Sequence, residues 1–338
     1  MRAIRTIERI NKSEFEESVA SGYEPVVVRQ VVKEWPLVQQ GLRGLEPALE
    51  YLQRFDQGQR VDGVLARPGP HRAFGYREGL SGFNFVHEKR TLPELFEQLW
   101  RYSQFPEPPC LAVQSALVSH VLSGLERENP CPLLSESVSP RIWIGNRASV
   151  PAHFDDSHNL ACVAAGRRRF TLLPPACAPL LYLGPPDHAP TGAPVTVIPN
   201  LHAASAADFP LLAQALEQAQ VANLEPGDAI YIPPLWFHQV EALAPQLNIL
   251  MNYWWRPQPA AGRSDDLHLA AMRLAMLAFR HLPDGEREGW RALLDHYVFG
   301  ARADALDHIP EAQRHLFGTI SADRDAALRK ELRDRLGA

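Results

Sequence analysis

Cysteine, lysine and long apolar runs are scarce in this chain of 338 residues. Its four cysteines form no Cys-x-x-Cys pair, so the sequence indicates neither a zinc knuckle nor a disulfide framework. We therefore expect reduced thiols in a cytoplasmic protein. No apolar run approaches the roughly 18 residues of a membrane span, and no apolar segment typical of a secretory signal follows Met1. The sequence predicts no membrane partner.

Positive charge is not in excess either. A formal net charge of −5 gives no overall attraction to nucleic acid or to an anionic membrane. With 46% hydrophobic and 22% charged residues, the chain can bury a large core and is long enough for one large domain or two. The composition is that of an ordinary globular enzyme and does not favour nucleic acid as a partner.

Two imidazoles and one carboxylate are the most informative side chains. His153 and Asp155 occur in Pro-Ala-His-Phe-Asp, and His238 ends Gly-Asp-Ala-Ile-Tyr-Ile-Pro-Pro-Leu-Trp-Phe-His. Two histidines and a carboxylate on one face of a metal, with positions left open, are typical of non-haem Fe(II) oxygenases. If residues 152–155 form a strand, alternation turns His153 and Asp155 the same way. A His-x-Asp triplet also arises by chance, so core histidines with ordinary partners are the alternative.

The surroundings of these residues favour strands. Glu225-Pro-Gly-Asp228 is a turn signal, and the apolar run Ala229 to Ile232 after it is typical of a buried strand. Asn248 to Trp255 predicts another strand. The pattern therefore places His238 in a strand-rich region that also includes His153.

The segment from about Ile142 to Trp255 resembles the cupin-type Jumonji C family of Fe(II)- and 2-oxoglutarate-dependent oxygenases. Within that family it is most similar to the branch containing the asparaginyl hydroxylase that inhibits hypoxia-inducible factor. The resemblance implies a mainly β fold with flanking helices: a double-stranded β-helix, or jelly roll, with an α/β N-terminal region and C-terminal helices. It also implies that His153, Asp155 and His238 bind Fe(II) and form the catalytic centre.

The resemblance also implies a site for 2-oxoglutarate. Relatives bind its far carboxylate with the lysine of Gly-x-Lys, and the matching residues here are Gly166-Arg167-Arg168. Arg168 is the candidate, since a guanidinium binds a carboxylate through two hydrogen bonds. Asn159 and Asn252 match asparagines around the metal and co-substrate. The alternative for Arg168 is that it and its two neighbours are exposed arginines on a hairpin. The alternative for Asn159 and Asn252 is that they are ordinary polar residues at strand ends.

Some positions depart from the family pattern or concern the substrate. Val150 and Ala112 stand where the asparaginyl hydroxylase has a threonine and a tyrosine, which removes two hydroxyl groups near the expected carboxylate. Gln114 matches a substrate-contacting glutamine, and the alternative is a buried strand glutamine with ordinary hydrogen bonds. Trp143 is a second candidate substrate contact. Six aromatic residues are candidates for the pocket wall, although a core role is the alternative for most: Trp143, Phe154, Trp236, Phe237, Tyr253 and Trp254.

The chain divides into three regions by sequence character. Residues 1–140 mix helix and strand, and residues 141–257 are the strand-rich core. Within that core an insert from Cys177 to Leu224 carries His188 and His202, to which we assign no role. Residues 258–338 are helical. Predicted helices begin near Asn11, Thr91, Ser264 and Asp284, and a fifth predicted helix spans Ala322 to Leu336. A predicted strand begins at Pro25. The resemblance implies a homodimer through the C-terminal helices.

The predicted function is hydroxylation of a protein side chain by an Fe(II)- and 2-oxoglutarate-dependent oxygenase. Hydroxylation of a small molecule or of a tRNA base by the same chemistry is the first alternative. A non-catalytic cupin-like binding module is the second. The missing hydroxyl groups at Val150 and Ala112 favour it, whereas the intact set of two histidines and one aspartate argues against it. Histone-type demethylation lacks an accompanying reader module, and a zinc hydrolase lacks an evident general base.

Overall fold

A computed structural model of the chain describes residues 1–190, 192–256, 267–300, 308–310, 313–317 and 321–337. The chain forms two compact units, Met1–Trp255 and Arg256–Ala338. The predicted boundary between residues 140 and 141 lies inside the first unit, because strands from the N-terminal region hydrogen-bond into the same sheets as the core.

The first unit is built from fourteen described strands. They are β1 Arg2–Ala3, β2 Arg5–Ile7, β3 Val26–Val28, β4 Arg60–Ala66, β5 Phe85–Thr91, β6 Cys110–Leu117, β7 Pro140–Gly145, β8 Ser149–His153, β9 His158–Ala165, β10 Arg168–Leu173, β11 Gln220–Leu224, β12 Ala229–Ile232, β13 Phe237–Ala242 and β14 Asn248–Trp255.

Two sheets result from the pairing of these strands. The smaller has the order β1-β11-β10-β13-β8, and the larger has the order β2-β3-β12-β9-β14-β7-β6-β4-β5. Phe170 of the smaller sheet and Ile230 and Leu250 of the larger are buried in one hydrophobic cluster. The two sheets therefore face each other over a shared core, which confirms the predicted jelly-roll architecture.

Besides short 3-10 turns, seven α-helices are described in the first unit. They are α1 Lys12–Ser18, α2 Pro36–Arg43, α3 Leu45–Gln53, α4 Leu92–Tyr102, α5 Val118–Val121, α6 Leu125–Glu128 and α7 Leu212–Gln218. The predicted starts of α1 and α4 are confirmed, because Asn11 and Thr91 cap these helices in reciprocal pairs with Glu14 and Glu94.

Helix α2 lies directly on the larger sheet. A Cβ atom at Gly41 would lie 2.6 Å from the carbonyl oxygen of Ala164 and 2.7 Å from the Cβ atom of Ala165 in β9. Only glycine allows this close approach. Strand β9 is therefore covered by the helix on one side and by the facing sheet on the other, and its residues 159–165 are all buried.

One part of the predicted insert is wrong. Its last five residues, Gln220–Leu224, form β11 between β1 and β10 of the smaller sheet. Gln220, Ala222 and Leu224 are buried in alternation, but small and polar residues make this period-two pattern weak in the sequence.

The second unit contains α8 Leu267–Phe279, α9 Asp284–Leu294, a π-helical turn at Asp295–Phe299 and α10 Ala322–Leu336. The predicted helices at Asp284 and Ala322 are confirmed, whereas Ser264, the predicted start of the preceding helix, lies outside the described residues. Among the residues that the structure describes, no helix combines the length and apolarity needed to cross a membrane.

Candidate functional site

His153 and His238 are direct neighbours across two paired strands. His153 is the last residue of β8, His238 is the second residue of β13, and the antiparallel register sets them opposite each other. Their ring centroids are 4.3 Å apart. The fold thus brings together two imidazoles that lie far apart in the sequence.

Asp155 completes the group from the turn that follows β8. The expectation that the strand continues to this residue is wrong, since β8 ends at His153. The backbone N–H of Leu235 instead donates to the carbonyl oxygen of Asp155 at 2.7 Å, which fixes the turn. The Asp155 Oδ2 atom lies 3.6 Å from His238 Nε2. In the described part of the chain, one ligand atom from each of the three side chains falls within 4.8 Å of the others.

Backbone contacts set the tautomer of both histidines. His153 Nδ1 lies 2.9 Å from the carbonyl oxygen of Pro151, and His238 Nδ1 lies 3.0 Å from that of Trp236. Because a carbonyl only accepts, each Nδ1 carries the proton and each Nε2 presents its lone pair. Burial, and then the neighbouring His238 ring, lower the pKa of His153. The lowered pKa favours the neutral form of His153, whose Nε2 atom can then bind a metal ion.

Two buried asparagines hold Asp155 in place. Asn159 Nδ2 donates to Asp155 Oδ2 at 3.1 Å, and Asn252 Nδ2 donates to Asn159 Oδ1 at 2.9 Å. Asn159 and Asn252 lie diagonally across the adjacent strands β9 and β14, where Asn159 is opposite Trp254 and Asn252 is opposite Ala161. The relay holds Asp155 through the same Oδ2 atom that lies 3.6 Å from His238 Nε2, so both asparagines lie close to the metal-ligand candidates.

We expect Asn159→Ala to weaken metal binding by about 10- to 100-fold, as is typical when the hydrogen-bond partner of a metal ligand is removed. The change frees Asp155 to rotate and leaves the Asn252 amide without its acceptor. Isothermal titration with Mn(II) measures the affinity. Asn146→Ala is the matched control, because Asn146 is equally buried but bonds the backbone at Leu111 and Pro109. Equal affinities in the two variants would contradict the relay.

Arg168 lies in the same pocket as the three metal-ligand candidates. Only 8% of it is exposed, and burial lowers its pKa to about 10. Its Nε atom has no hydrogen-bond partner, and no carboxylate among the described residues forms an ion pair with it. A buried guanidinium without an anion is costly, and such groups are normally paired. Arg168 is therefore suited to bind the carboxylate of a ligand in this pocket.

A family comparison identifies the fold. The model of the cupin-like domain family matches residues 12–261, which is well over half of the chain. The protein belongs to the cupin-like domain family. Its two facing sheets and the position of the candidate metal site between them agree with that assignment.

Several curated relatives of this cupin-like protein are Jumonji C proteins. The lysine-specific demethylase JMJ31 of Arabidopsis thaliana is 35% identical over 136 residues, covering 38% of this chain and 23% of that protein. Jumonji C domain-containing protein 5 of Drosophila melanogaster is 24% identical over 257 residues, covering 72% of this chain and 57% of that protein. The human bifunctional peptidase and (3S)-lysyl hydroxylase JMJD7 is 26% identical over 259 residues, covering 68% of this chain and 77% of that protein.

The similarity confirms the predicted Jumonji C resemblance. It does not assign the branch of the family or the substrate. The chain spans 23% and 57% of the lengths of the first two relatives. None of the three is the asparaginyl hydroxylase, so assignment to that branch stays a prediction. The activity of the whole protein is likewise a proposal.

The positions that depart from the family pattern lie beside Arg168. Val150 lines the metal pocket, and Ala112 lines a smaller void that also contacts Arg168 and Val150. Valine and alanine side chains leave this wall apolar. Neither residue offers a hydroxyl group beside Arg168, so the guanidinium is the charged donor for a ligand carboxylate at this wall.

Gln114 and Trp143 both line the metal pocket. A β-bulge aims Gln114: it and Ser115 together oppose Trp143, and Ser115 has a left-handed φ of 51°. Arg141 donates to the Ser115 carbonyl oxygen at 2.8 Å and thereby holds the bulge. The buried Nε1 atom of Trp143 has no partner in the described structure. Both residues therefore line the pocket, and their contact with a substrate stays a prediction.

The aromatic wall differs in part from the prediction. Trp143 and Trp254 line the pocket with their rings 6.5 Å apart, whereas Phe154, Trp236, Phe237 and Tyr253 do not line it. Phe74 and Phe85 do, although sequence analysis missed them. Both belong to the N-terminal region, and no local motif marks them.

The other histidines near the site have ordinary partners. His158 Nδ1 lies 2.7 Å from the Tyr231 hydroxyl, His188 stacks on Phe83 at 4.9 Å, and His202 Nε2 lies 2.7 Å from Thr171 Oγ1. None belongs to the metal-ligand group. Their exclusion from the predicted site agrees with the geometry.

Proposed function

We propose that this protein is an Fe(II)- and 2-oxoglutarate-dependent oxygenase that hydroxylates a side chain of a protein or peptide. The observation that carries the proposal is the presence, in one pocket, of three converging metal-ligand atoms and a buried cation without an anion. Two imidazoles and one carboxylate suit Fe(II), and an unpaired guanidinium suits the far carboxylate of 2-oxoglutarate. The residues present therefore fit both groups.

Each part of the pocket has a distinct task in this proposal. The Nε2 atoms of His153 and His238 and a carboxylate oxygen of Asp155 bind the metal, and Arg168 orients the co-substrate. When bound, Fe(II) and 2-oxoglutarate supply, with O2, the oxidising chemistry that converts a C–H bond to an alcohol and releases succinate and CO2.

The walls and rim of the pocket protect and place the reactants. Ile232, Val240 and Leu250 make the interior apolar, which excludes water from the reacting groups. Gln114 and Trp143 line the pocket, and the buried Trp143 Nε1 atom has no hydrogen-bond partner in the described structure. These two residues are our candidates for positioning the substrate.

Protein substrates are favoured by the names of the relatives, which include a lysyl hydroxylase and a lysine-specific demethylase. The test is to incubate the protein with Fe(II), 2-oxoglutarate, O2 and a host cell lysate, and then to search digested proteins for a 16-dalton increase. Asp155→Ala is the inactive control, and Asp156→Ala is the matched neighbour that should keep activity. Modified nucleosides or metabolites instead of peptides would support the alternative substrates. Absence of succinate formation under all conditions would support a binding module.

We further propose that the C-terminal helices form a homodimer. Helix α8 is apolar around most of its circumference and has no buried residue, and Leu277 is 81% exposed. Met276 and Phe279 of α8 and Trp290 of α9 line an apolar groove. A contiguous exposed apolar surface is typical of a protein interface, and two-fold symmetric dimers are the commonest homo-oligomers.

Light scattering after size-exclusion chromatography tests the dimer. We expect Leu277→Glu to convert a species of twice the chain mass into monomer, because a charge would be buried in the interface. Leu42→Glu is the matched control, since Leu42 is also an exposed leucine on a helix but lies in the first unit. A monomeric wild-type protein, or dissociation by the control alone, would contradict the proposal.

A further inference from the structure

A second, polar cleft lies on the opposite face of the strands that carry the histidines. Its volume is about 640 Å³, and its lining shares no residue with the metal pocket. Val150 of β8 lines the metal pocket while the preceding Ser149 lines the cleft, and Val240 and Glu241 of β13 divide in the same way. Successive residues of a strand face opposite sides, so the cleft and the metal pocket lie back to back.

The cleft lining contains two arginines and two glutamates, and one of the arginines has no carboxylate partner among the described residues. Its two glutamates already have partners: Glu107 pairs with Arg72 at 2.8 Å, and Glu241 accepts from Asn200 at 3.1 Å and pairs with Arg169 at 3.4 Å. Arg147 also lines the cleft and forms no ion pair among the described residues. The cleft therefore presents a guanidinium whose charge no carboxylate of the described chain neutralises.

A buried hydroxyl group is also left without a partner. Ser149 is only 3% exposed, it lines the cleft, and its Oγ atom has no hydrogen-bond partner in the described structure. Buried hydroxyl groups are normally bonded, so an unbonded one on a cleft wall indicates a ligand contact. The Ser149 position is itself fixed, because its N–H donates to the carbonyl oxygen of Arg72 at 2.8 Å.

The segment that bonds to the Ser149 backbone is conformationally strained. Arg72 has a left-handed φ of 47°, which is unfavourable for a residue with a side chain. In this conformation the Arg72 guanidinium donates to Glu107 and to the carbonyl oxygen of Pro108. The carbonyl oxygen of Arg72 accepts from the backbone N–H of Ser149. Strained residues held by several contacts cluster at binding sites.

We infer that this cleft binds a small anion through its carboxylate or phosphate oxygens, with Arg147 as the cation and the Ser149 hydroxyl as a hydrogen-bond donor. A charge-assisted contact from a guanidinium and a hydrogen bond from a buried hydroxyl group suit both kinds of oxyanion. The site does not depend on the proposed oxygenase function, since it shares no lining residue with the metal pocket.

Calorimetric titration with sodium succinate and, separately, with inorganic phosphate tests the inference. The titrations use Arg168→Met protein, because the unpaired Arg168 of the metal pocket is another place for anions to bind. We expect saturable binding that weakens at least tenfold on adding Arg147→Met and several-fold on adding Ser149→Ala. Arg67→Met, an exposed arginine beside the cleft loop but outside its lining, should change nothing.

The two probes distinguish the sources of the oxyanion. Tighter succinate binding identifies a carboxylate ligand, and tighter phosphate binding identifies a phosphorylated one. Circular dichroism confirms that each variant is folded. No saturable binding of either anion would overturn the inference, as would unchanged affinity in both the Arg147→Met and Ser149→Ala proteins. Either result leaves the oxygenase proposal unaffected, because the metal pocket is not measured.

Discussion

His153→Ala is expected to abolish the visible charge-transfer absorption that appears when Fe(II) and 2-oxoglutarate are added to the protein without oxygen. The substitution removes one of three converging ligand atoms and leaves His238 and Asp155 as an incomplete set. Two protein ligands do not hold Fe(II) in the geometry that three provide. Succinate formation in the presence of oxygen should fall to background in the same variant.

His158→Ala is the matched control for that experiment. His158 is five residues away in the sequence, but its Nδ1 atom lies 2.7 Å from the Tyr231 hydroxyl group and outside the metal-ligand group. Its loss should cost about 1 kcal/mol of stability through the missing hydrogen bond and leave the absorption intact. If the His153→Ala protein retained the absorption at wild-type intensity, the proposed metal centre would be wrong.

The metal-ligand candidates and Arg168 could be predicted from sequence because each stands beside a local signal. His238 follows a turn and a buried strand, and Gly166 marks the hairpin before Arg168, with a left-handed φ of 72°. Family resemblance then supplied the pairing of distant segments, which no local pattern contains. The structure adds that β8 and β13 are direct neighbours with His153 opposite His238.

Residues that depend on long-range packing could not be predicted. Phe74 and Phe85 enter the pocket wall from the N-terminal region because β4, β5 and β6 extend the larger sheet next to β7. Their own sequence neighbourhoods contain no motif. Asp155 shows the opposite case, since its proximity to His153 was predicted from strand alternation but is produced by a turn fixed through Leu235.

The bulge in β6 shows how irregular backbone serves the site. A regular strand would pair each residue of β6 with one of β7, but here Gln114 and Ser115 share the partner Trp143. Sequence alone gives no sign of a left-handed serine. The contact from Arg141 to the Ser115 carbonyl oxygen stabilises this conformation, so the orientation of Gln114 depends on a residue two positions before Trp143.

Arg168→Met is expected to change co-substrate affinity and protein stability in opposite directions. In the absence of ligand, burial of the unpaired guanidinium destabilises the folded state. A pKa lowered from 12.5 to about 10 corresponds to a cost on the order of 3 kcal/mol. The folded protein binds the proton less tightly than the unfolded chain, so this cost is fully present below about pH 10 and shrinks only above it. Methionine fills a similar space without a charge.

We therefore expect the ligand-free Arg168→Met protein to melt at a temperature about 3–8 °C higher than the wild type, as a gain of 1–3 kcal/mol predicts for a domain of this size. The same variant should bind 2-oxoglutarate at least about 100-fold more weakly, because two hydrogen bonds to a charged group are lost. Scanning calorimetry and anaerobic titration measure the two effects.

Arg169→Met separates this pocket-specific effect from a general loss of charge. Arg169 is the next residue of β10, but it pairs with Glu241 across the outer face of the strands at 3.4 Å. Its removal should leave 2-oxoglutarate affinity unchanged and should not raise the melting temperature, because a partly exposed ion pair contributes little. Arg168→Lys should restore part of the affinity through its single ammonium group. Unchanged 2-oxoglutarate affinity in Arg168→Met would show that the buried cation serves no co-substrate, and only the stability effect would then remain to explain.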